Sequence, residues 1–276
     1  MIDQPGRTPR SPRLPPPPQS GGPVPRQQDG DAAPDPQQRP SFYAARSGGW
    51  HDWWTLLHPP YTAWHLSYVV LGACLATQVS ASRLVATLLA FFLAVGIGAH
   101  ALDELHGRPL GTQISSSVLV TLTVLSLTGA VALGALGVWK VGWALVPFMV
   151  IGPILVVGYN MELFGGRIHT DVWFALAWGS FPVLVAYVAQ TGNLSAAAVI
   201  AAVAAFFVSA AQRQLSTPAR RIRRRSATVE GSMSMKDGST VAIDTRSLLL
   251  PLERALHSLS WGMVFLATGF AIARMA

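Results

Sequence analysis

From about residue 60 onward the chain alternates long apolar runs with short polar breaks. Each run is close to the roughly 20 residues that a helix needs to cross a hydrocarbon core ~30 Å thick. Lipid offers no partner to an exposed backbone amide, so runs of this length form helices. The pattern predicts about seven spans, at 61–79, 83–104, 114–138, 142–163, 171–190, 194–213 and 254–274. Ahead of them, Trp50, Trp53, Trp54, Leu56 and Leu57, followed by Pro59-Pro60, predict an interfacial amphipathic segment over 49–60. The expected fold class is an all-α polytopic membrane protein, with a six-helix core at 61–213 and a last helix at 254–276.

The polar stretches complete this outline. Residues 1–48 are rich in Pro, Gln, Arg and Gly, include Pro15-Pro16-Pro17-Pro18, and hold few side chains able to bury a core. They predict a disordered, Pro-rich cytoplasmic tail without the apolar stretch of a secretory signal. Residues 214–253 predict a basic cytoplasmic loop, with a small hairpin turning at Lys236-Asp237-Gly238-Ser239.

Composition agrees: 51% of the 276 residues are hydrophobic and 12% charged, about half the charge of an ordinary soluble domain. The net charge of +7 comes largely from arginines in the tail and in the run Arg220–Arg225. Positive-inside bias accounts for them better than nucleic-acid binding, and none is expected. The same bias puts the N-terminus in the cytoplasm of an integral, plasma-membrane protein, here read as bacterial. An odd number of spans would place the C-terminus outside. With Cys74 alone there is no internal disulfide and no thiolate-built zinc site.

The spans carry almost no interior charge, yet His100, Asp103, Glu104 and His106 gather where the second one ends. Ionisable groups at that depth are costly and mark function. His100, Asp103 and Glu104 stand at i, i+3 and i+4, on one helix face. A second cluster, Asn160, Glu162, Arg167, His169 and Asp171, closes the fourth span on the same expected side. Acids and imidazoles suit a hard or borderline cation, and arginines suit a phosphate; helix caps and headgroup contacts account for the same residues singly. His51, His58 and His65 recur every seven residues, but Pro59-Pro60 interrupts any common face, and each is expected to be interfacial or satisfied by a neighbour. Glu253 and His257 pair at i, i+4, or reach the same pocket.

Several of these segments resemble, in order, the UbiA superfamily of intramembrane prenyltransferases. Leu57-His58-Pro59-Pro60-Tyr61-Thr62 looks like the family's opening segment. The stretch from His100 to Leu110, with Asp103, Glu104, Arg108 and Pro109, is similar to its first aspartate-rich motif. Tyr159 to Gly192, with Arg167, Trp178-Gly179 and Pro182, resembles its middle helices. The resemblance spans about residues 55–213. His100 stands where the family has Asn, no second aspartate-rich motif follows the sixth span, and the family has about nine spans.

The resemblance implies a UbiA-like bundle acting on an isoprenoid diphosphate and a hydrophobic or aromatic acceptor, in contact with membrane lipid. Asp103 and Glu104 would be catalytic, and Arg108 and Arg167 would grip the diphosphate. His100, Asp103, Glu104, His106, Glu162, His169 and Asp171 are the candidate ligands of a divalent metal, Mg2+ for prenyl transfer. Two other readings stand beside it: a membrane metalloenzyme holding a transition metal without prenyl transfer, favoured by histidine content, and a non-catalytic UbiA-like protein.

Overall fold

The structure, a computed structural model, describes residues 39–275. In chain order it comprises α1 (Trp50–Leu57), α2 (Pro59–Cys74), α3 (Ala81–Phe91), α4 (His100–Leu105), α5 (Ser116–Val141), α6 (Val146–Asn160), α7 (Asp171–Ala175), α8 (Phe181–Thr191), α9 (Ala196–Arg225), β1 (Glu230–Ser234), β2 (Thr240–Asp244) and α10 (Thr245–Met275). Two π-helical segments, Phe92–Ala99 and Leu176–Ser180, join α3 to α4 and α7 to α8.

Among the described residues, six helical segments are long and apolar enough to cross a membrane: Ala81–Leu105, Ser116–Val141, Trp143–Asn160, Asp171–Thr191, Ala196–Arg225 and Thr245–Met275. The chain is thus a mostly helical, polytopic integral membrane protein. The span expected at 61–79 falls on α2, whose 16 residues reach about 24 Å at 1.5 Å per residue. This helix is central: Trp64, Tyr68, Val69 and Ala73 are buried in it, between α8 and α10. Helices that meet without water pushing them together rely on close backbone approach at small residues. Gly72 of α2 therefore abuts the Val183 carbonyl of α8, and a Cβ on Gly179 would lie 2.6 Å from both the Ala205 carbonyl and Ser209 Oγ of α9.

Two helices outrun their apolar stretches. Where hydropathy ends a span at 213, α9 continues through Pro218 to Arg225, and α10 begins at Thr245 rather than 254. Arg is a good helix former, so the loss of hydropathy does not stop the helix. Their extensions build a polar, arginine-rich end. Antiparallel β1 and β2, with Gly231 opposite Ile243 and Met233 opposite Val241, connect them.

Residues 1–38 of the expected tail lie outside the described residues. Its last part, residues 39–48, is packed as a strap across the arginine-rich end, with Ser41 and Ala44 buried. Arg223 Nη1 donates to the Arg39 carbonyl at 3.2 Å and Arg224 Nε to the Pro40 carbonyl at 3.2 Å. Ala45 N donates to Thr55 Oγ1 at 3.0 Å. Asp52 of α1 accepts from Gly48 N and Gln113 N, each at 2.9 Å, and so ties the strap to the loop after α4.

Candidate functional site

The helix-end acids separate once the loop after α4 is in place. Arg108 adopts φ 52, and the chain turns back so that Leu110 N, Thr112 N and Thr112 Oγ1 donate to the Glu104 carboxylate at 2.9, 2.8 and 2.8 Å. Glu104 is 0% exposed; its lone pairs hold its own loop. The Arg108 guanidinium works on the same loop, donating to the carbonyls of Thr112 and Ile114 and to Ser116 Oγ. His106, Glu162 and Arg167 are exposed. The Glu162 carboxylate is 3.9 Å from His169 Nε2. Asn160 is buried, its amide spent on the Val156 carbonyl at 2.7 Å.

Asp103 stays inside, half-buried, within electrostatic reach of His169 and of Arg220 and Arg224 on the α9 extension. Across from it, Asp171 Oδ1 accepts from Arg213 Nε at 2.7 Å, and the Arg213 guanidinium lies 5.3 Å from the Phe174 ring. Among the described residues Arg220 makes no hydrogen bond or ion pair, although Tyr43, Tyr61, Arg213 and Arg224 are all in electrostatic range. The Tyr159 hydroxyl and Gln212 Oε1 are buried without a hydrogen-bond partner. The two clusters thus come within electrostatic range of one another around Asp103, Tyr159, His169, Arg213, Arg220 and Arg224, with the Tyr159 and His169 rings stacked.

The His58 imidazole is in electrostatic range of Arg220 and Arg224 as well. His58 and His65, expected to be interfacial or satisfied by a neighbour, are buried near His100: the rings of His58 and His100 are 4.1 Å apart. His58 sits at φ 47, in the left-handed turn that joins α1 to α2. Pro59-Pro60 begins α2 rather than breaking the face, because proline is tolerated in a first turn. The seven-residue spacing of His58 and His65, two helical turns, was the available signal. Burial, with His100 next, holds the His58 imidazole well below its ordinary value, so it is neutral. Tyr43 of the strap meets His58 edge-on at 5.1 Å; burial pushes its phenol up to about 12. His51 stacks on Trp50, and exposed His257 accepts from Trp261 Nε1. Glu253 pairs with Arg223, not with His257.

Among the described residues no group of three or more His, Cys, Asp or Glu side chains is arranged to hold a metal ion. The candidates divide: Glu104 is saturated by its loop, Asp171 is paired with Arg213, and His106 and Glu162 face outward. Compared with protein-family profiles, characterised proteins and solved structures, the chain matches none.

An apolar cavity of about 570 Å³ lies between α3, α5, α6 and α8, lined by Ala94, Leu127, Gly134, Met149, Trp178 and Phe181 among others. Trp178 and Val156 line it and also pack against Tyr159, Ala99 and Leu102. Trp178 and Val156 therefore link the apolar cavity to the side chain of Tyr159. Arg83 and Lys140 stand at the cavity's far end.

Proposed function

We propose that the chain is a UbiA-like intramembrane protein that binds an isoprenoid diphosphate. The diphosphate sits against Arg213, Arg220 and Arg224, and the hydrocarbon tail lies in the apolar cavity. The observation that carries this reading is a 570 Å³ apolar cavity whose wall residue Trp178 also packs against Tyr159; the buried Tyr159 hydroxyl has no partner among the described residues and lies in electrostatic range of Arg213 and Arg220. Ligand sites of this kind are mostly apolar with a few placed polar groups. Guanidinium forks match phosphate oxygens in geometry and charge. In this reading the arginine-rich end is cytoplasmic and α2 counts as a seventh crossing.

Prenyl transfer to a hydrophobic or aromatic acceptor is the activity that follows. A diphosphate leaving group needs its developing charge neutralised, and here the α9 arginines supply that charge, with Arg108 and Arg167 left out of it. A magnesium cluster does not fit these residues, because of the candidate acids only Asp103 is both half-buried and unspent. Glu104's engagement by its own loop favours a second reading, a protein that binds the diphosphate without turnover.

The test is binding of radiolabelled geranylgeranyl diphosphate to the chain in nanodiscs. Arg220→Gln should weaken binding roughly 10- to 100-fold, the cost of about 1.5–3 kcal/mol for hydrogen bonds to a charged group. Arg167→Ala should leave it unchanged. Equal affinity for wild type and Arg220→Gln sinks the reading. Extracted lipid products then separate transfer from binding alone.

A further inference from the structure

Diphosphate binding makes no use of the β1–β2 hairpin. Every residue from Glu230 to Ala242 is exposed, among the described residues β1 pairs with β2 alone, and a two-stranded sheet by itself is marginal in water. Its turn fixes which backbone groups stay open. Met235 N donates to the Ser239 carbonyl at 2.8 Å, and Gly238 N, at φ 84, donates to the Met235 carbonyl at 3.1 Å. Residues of an antiparallel ladder alternate between hydrogen-bonded and open pairs. With Met235 bonded to β2, so are Met233 and Gly231, and the amides and carbonyls of Glu230, Ser232 and Ser234 point outward along the free edge of β1. That strand has neither proline nor lysine, residues that guard exposed edges. The charges are unsettled too. Glu230 faces Asp244 across the ladder, and like charges directly opposite weaken a sheet. Asp244 Oδ1 accepts from Ser247 N at 2.7 Å, with Arg246 in electrostatic range. Among the described residues neither Glu230 nor Lys236 of the turn has an ion pair or a side-chain hydrogen bond.

We propose that the free edge of β1 pairs with β1 of a second copy of this chain, antiparallel and centred on Met233. The outward groups of one edge must meet outward groups of the other, which restricts the centre to Ser232, Met233 or Ser234. Centring on Ser232 sets Glu230 against Ser234 of the second copy, and centring on Ser234 sets it against Gly238. Only the Met233 register brings Glu230 opposite Lys236, and two-fold symmetry repeats that pair at the other end. Opposite charges so placed stabilise a sheet. In the same register Ser232 and Ser234 exchange backbone hydrogen bonds between copies, and Gly231 leaves room for the long Met235 side chain. Met233 meets its own counterpart in an open pair, where side chains lie closest. The contact is isologous, one patch used by both copies, and its small size makes it a transient pairing rather than an obligate one. It stands apart from the diphosphate reading and needs neither ligand nor turnover.

The experiment is disulfide trapping of the full chain in proteoliposomes under a mild oxidant. Cys74 is buried, so the unaltered chain is the blank. In an open antiparallel pair the two Met233 Cα atoms lie about 4.5 Å apart, inside the roughly 4.4–6.8 Å that a disulfide spans. Met233→Cys should therefore give a linked dimer. Val241→Cys, similarly exposed but on β2, lies three strand spacings, or about 14 Å, from its counterpart, and should not. Lys236→Glu added to Met233→Cys should slow trapping roughly fivefold, because each dimer contains the charge pair twice. Glu230→Lys added to that chain should restore the rate, which also shows that the hairpin still folds. Equal trapping of the two cysteines, no linked dimer from Met233→Cys, or a charge exchange that fails to restore the rate each overturns the proposal.

Discussion

Glu104 shows how far a single residue can depart from its sequence neighbourhood. Its spacing from His100 and Asp103 puts all three on one helical face, which is correct as geometry. The partners that decide its role are Leu110 and Thr112, brought back by the left-handed turn at Gly107 and Arg108. Nothing in the apolar pattern reports that turn. Removing the carboxylate would leave two backbone amides and a hydroxyl buried and unpaired, each costing about 1–3 kcal/mol. Glu104→Ala should therefore lower stability by roughly 3 kcal/mol or more, read as a fall in thermal unfolding temperature. Asp103→Asn, at a side chain without a hydrogen bond among the described residues, should change it little. A stable Glu104→Ala protein that fails only in ligand binding would return Glu104 to the site. His58 and His65 take the second of their two expected fates: both are buried and satisfied by carbonyls, one from α1 and one from a π segment 113 residues away, partners that sequence spacing does not identify.

At the scale of elements, the apolar runs locate every long helix, because burying backbone in lipid leaves the helix as the only solution. What they do not show is where a helix ends once hydropathy falls, or where its winding changes. The α9 extension carries the arginine wall, and the π segments set the imidazoles. Both are decided by local hydrogen bonding rather than by transfer free energy. The glycines at helix contacts are equally silent in hydropathy and equally specific in space. A Cβ at Gly179 would press on α9's backbone at Ala205 and on Ser209, so neither neighbour yields as a flexible side-chain tip would. Gly179→Ala should lower the unfolding temperature by several degrees, since strain of this kind costs about 1–3 kcal/mol. Gly262→Ala on α10, with nothing within 4 Å of the added Cβ, should hold or raise it through better helix propensity. If both substitutions behave alike, the close approach of the Leu176–Ser180 π segment to α9 at Gly179 is not what holds them together.

For the molecule as a whole, the question is how a ligand reaches the α9 arginines that the strap covers. The strap supplies the answer through the residues that hold it. Arg224, in electrostatic reach of Asp103, also donates to the strap's Pro40 carbonyl, and Tyr43 rests on His58 and Tyr61. An anion that engages Arg224 takes away one of the strap's charge-assisted hydrogen bonds, worth about 1.5–3 kcal/mol. Binding and strap release are therefore linked, and by reciprocity a loosened strap favours binding. Backbone amide exchange at Phe42, Tyr43 and Ala44 should rise roughly tenfold when pyrophosphate is added. Arg224→Ala should show the raised exchange before any addition, with little further response. Tyr43→Ala should speed ligand association more than it changes affinity, since the ring blocks the path without forming the phosphate site. Exchange that falls on adding pyrophosphate would instead make the strap a wall of the occupied site, closing over the ligand rather than making way for it.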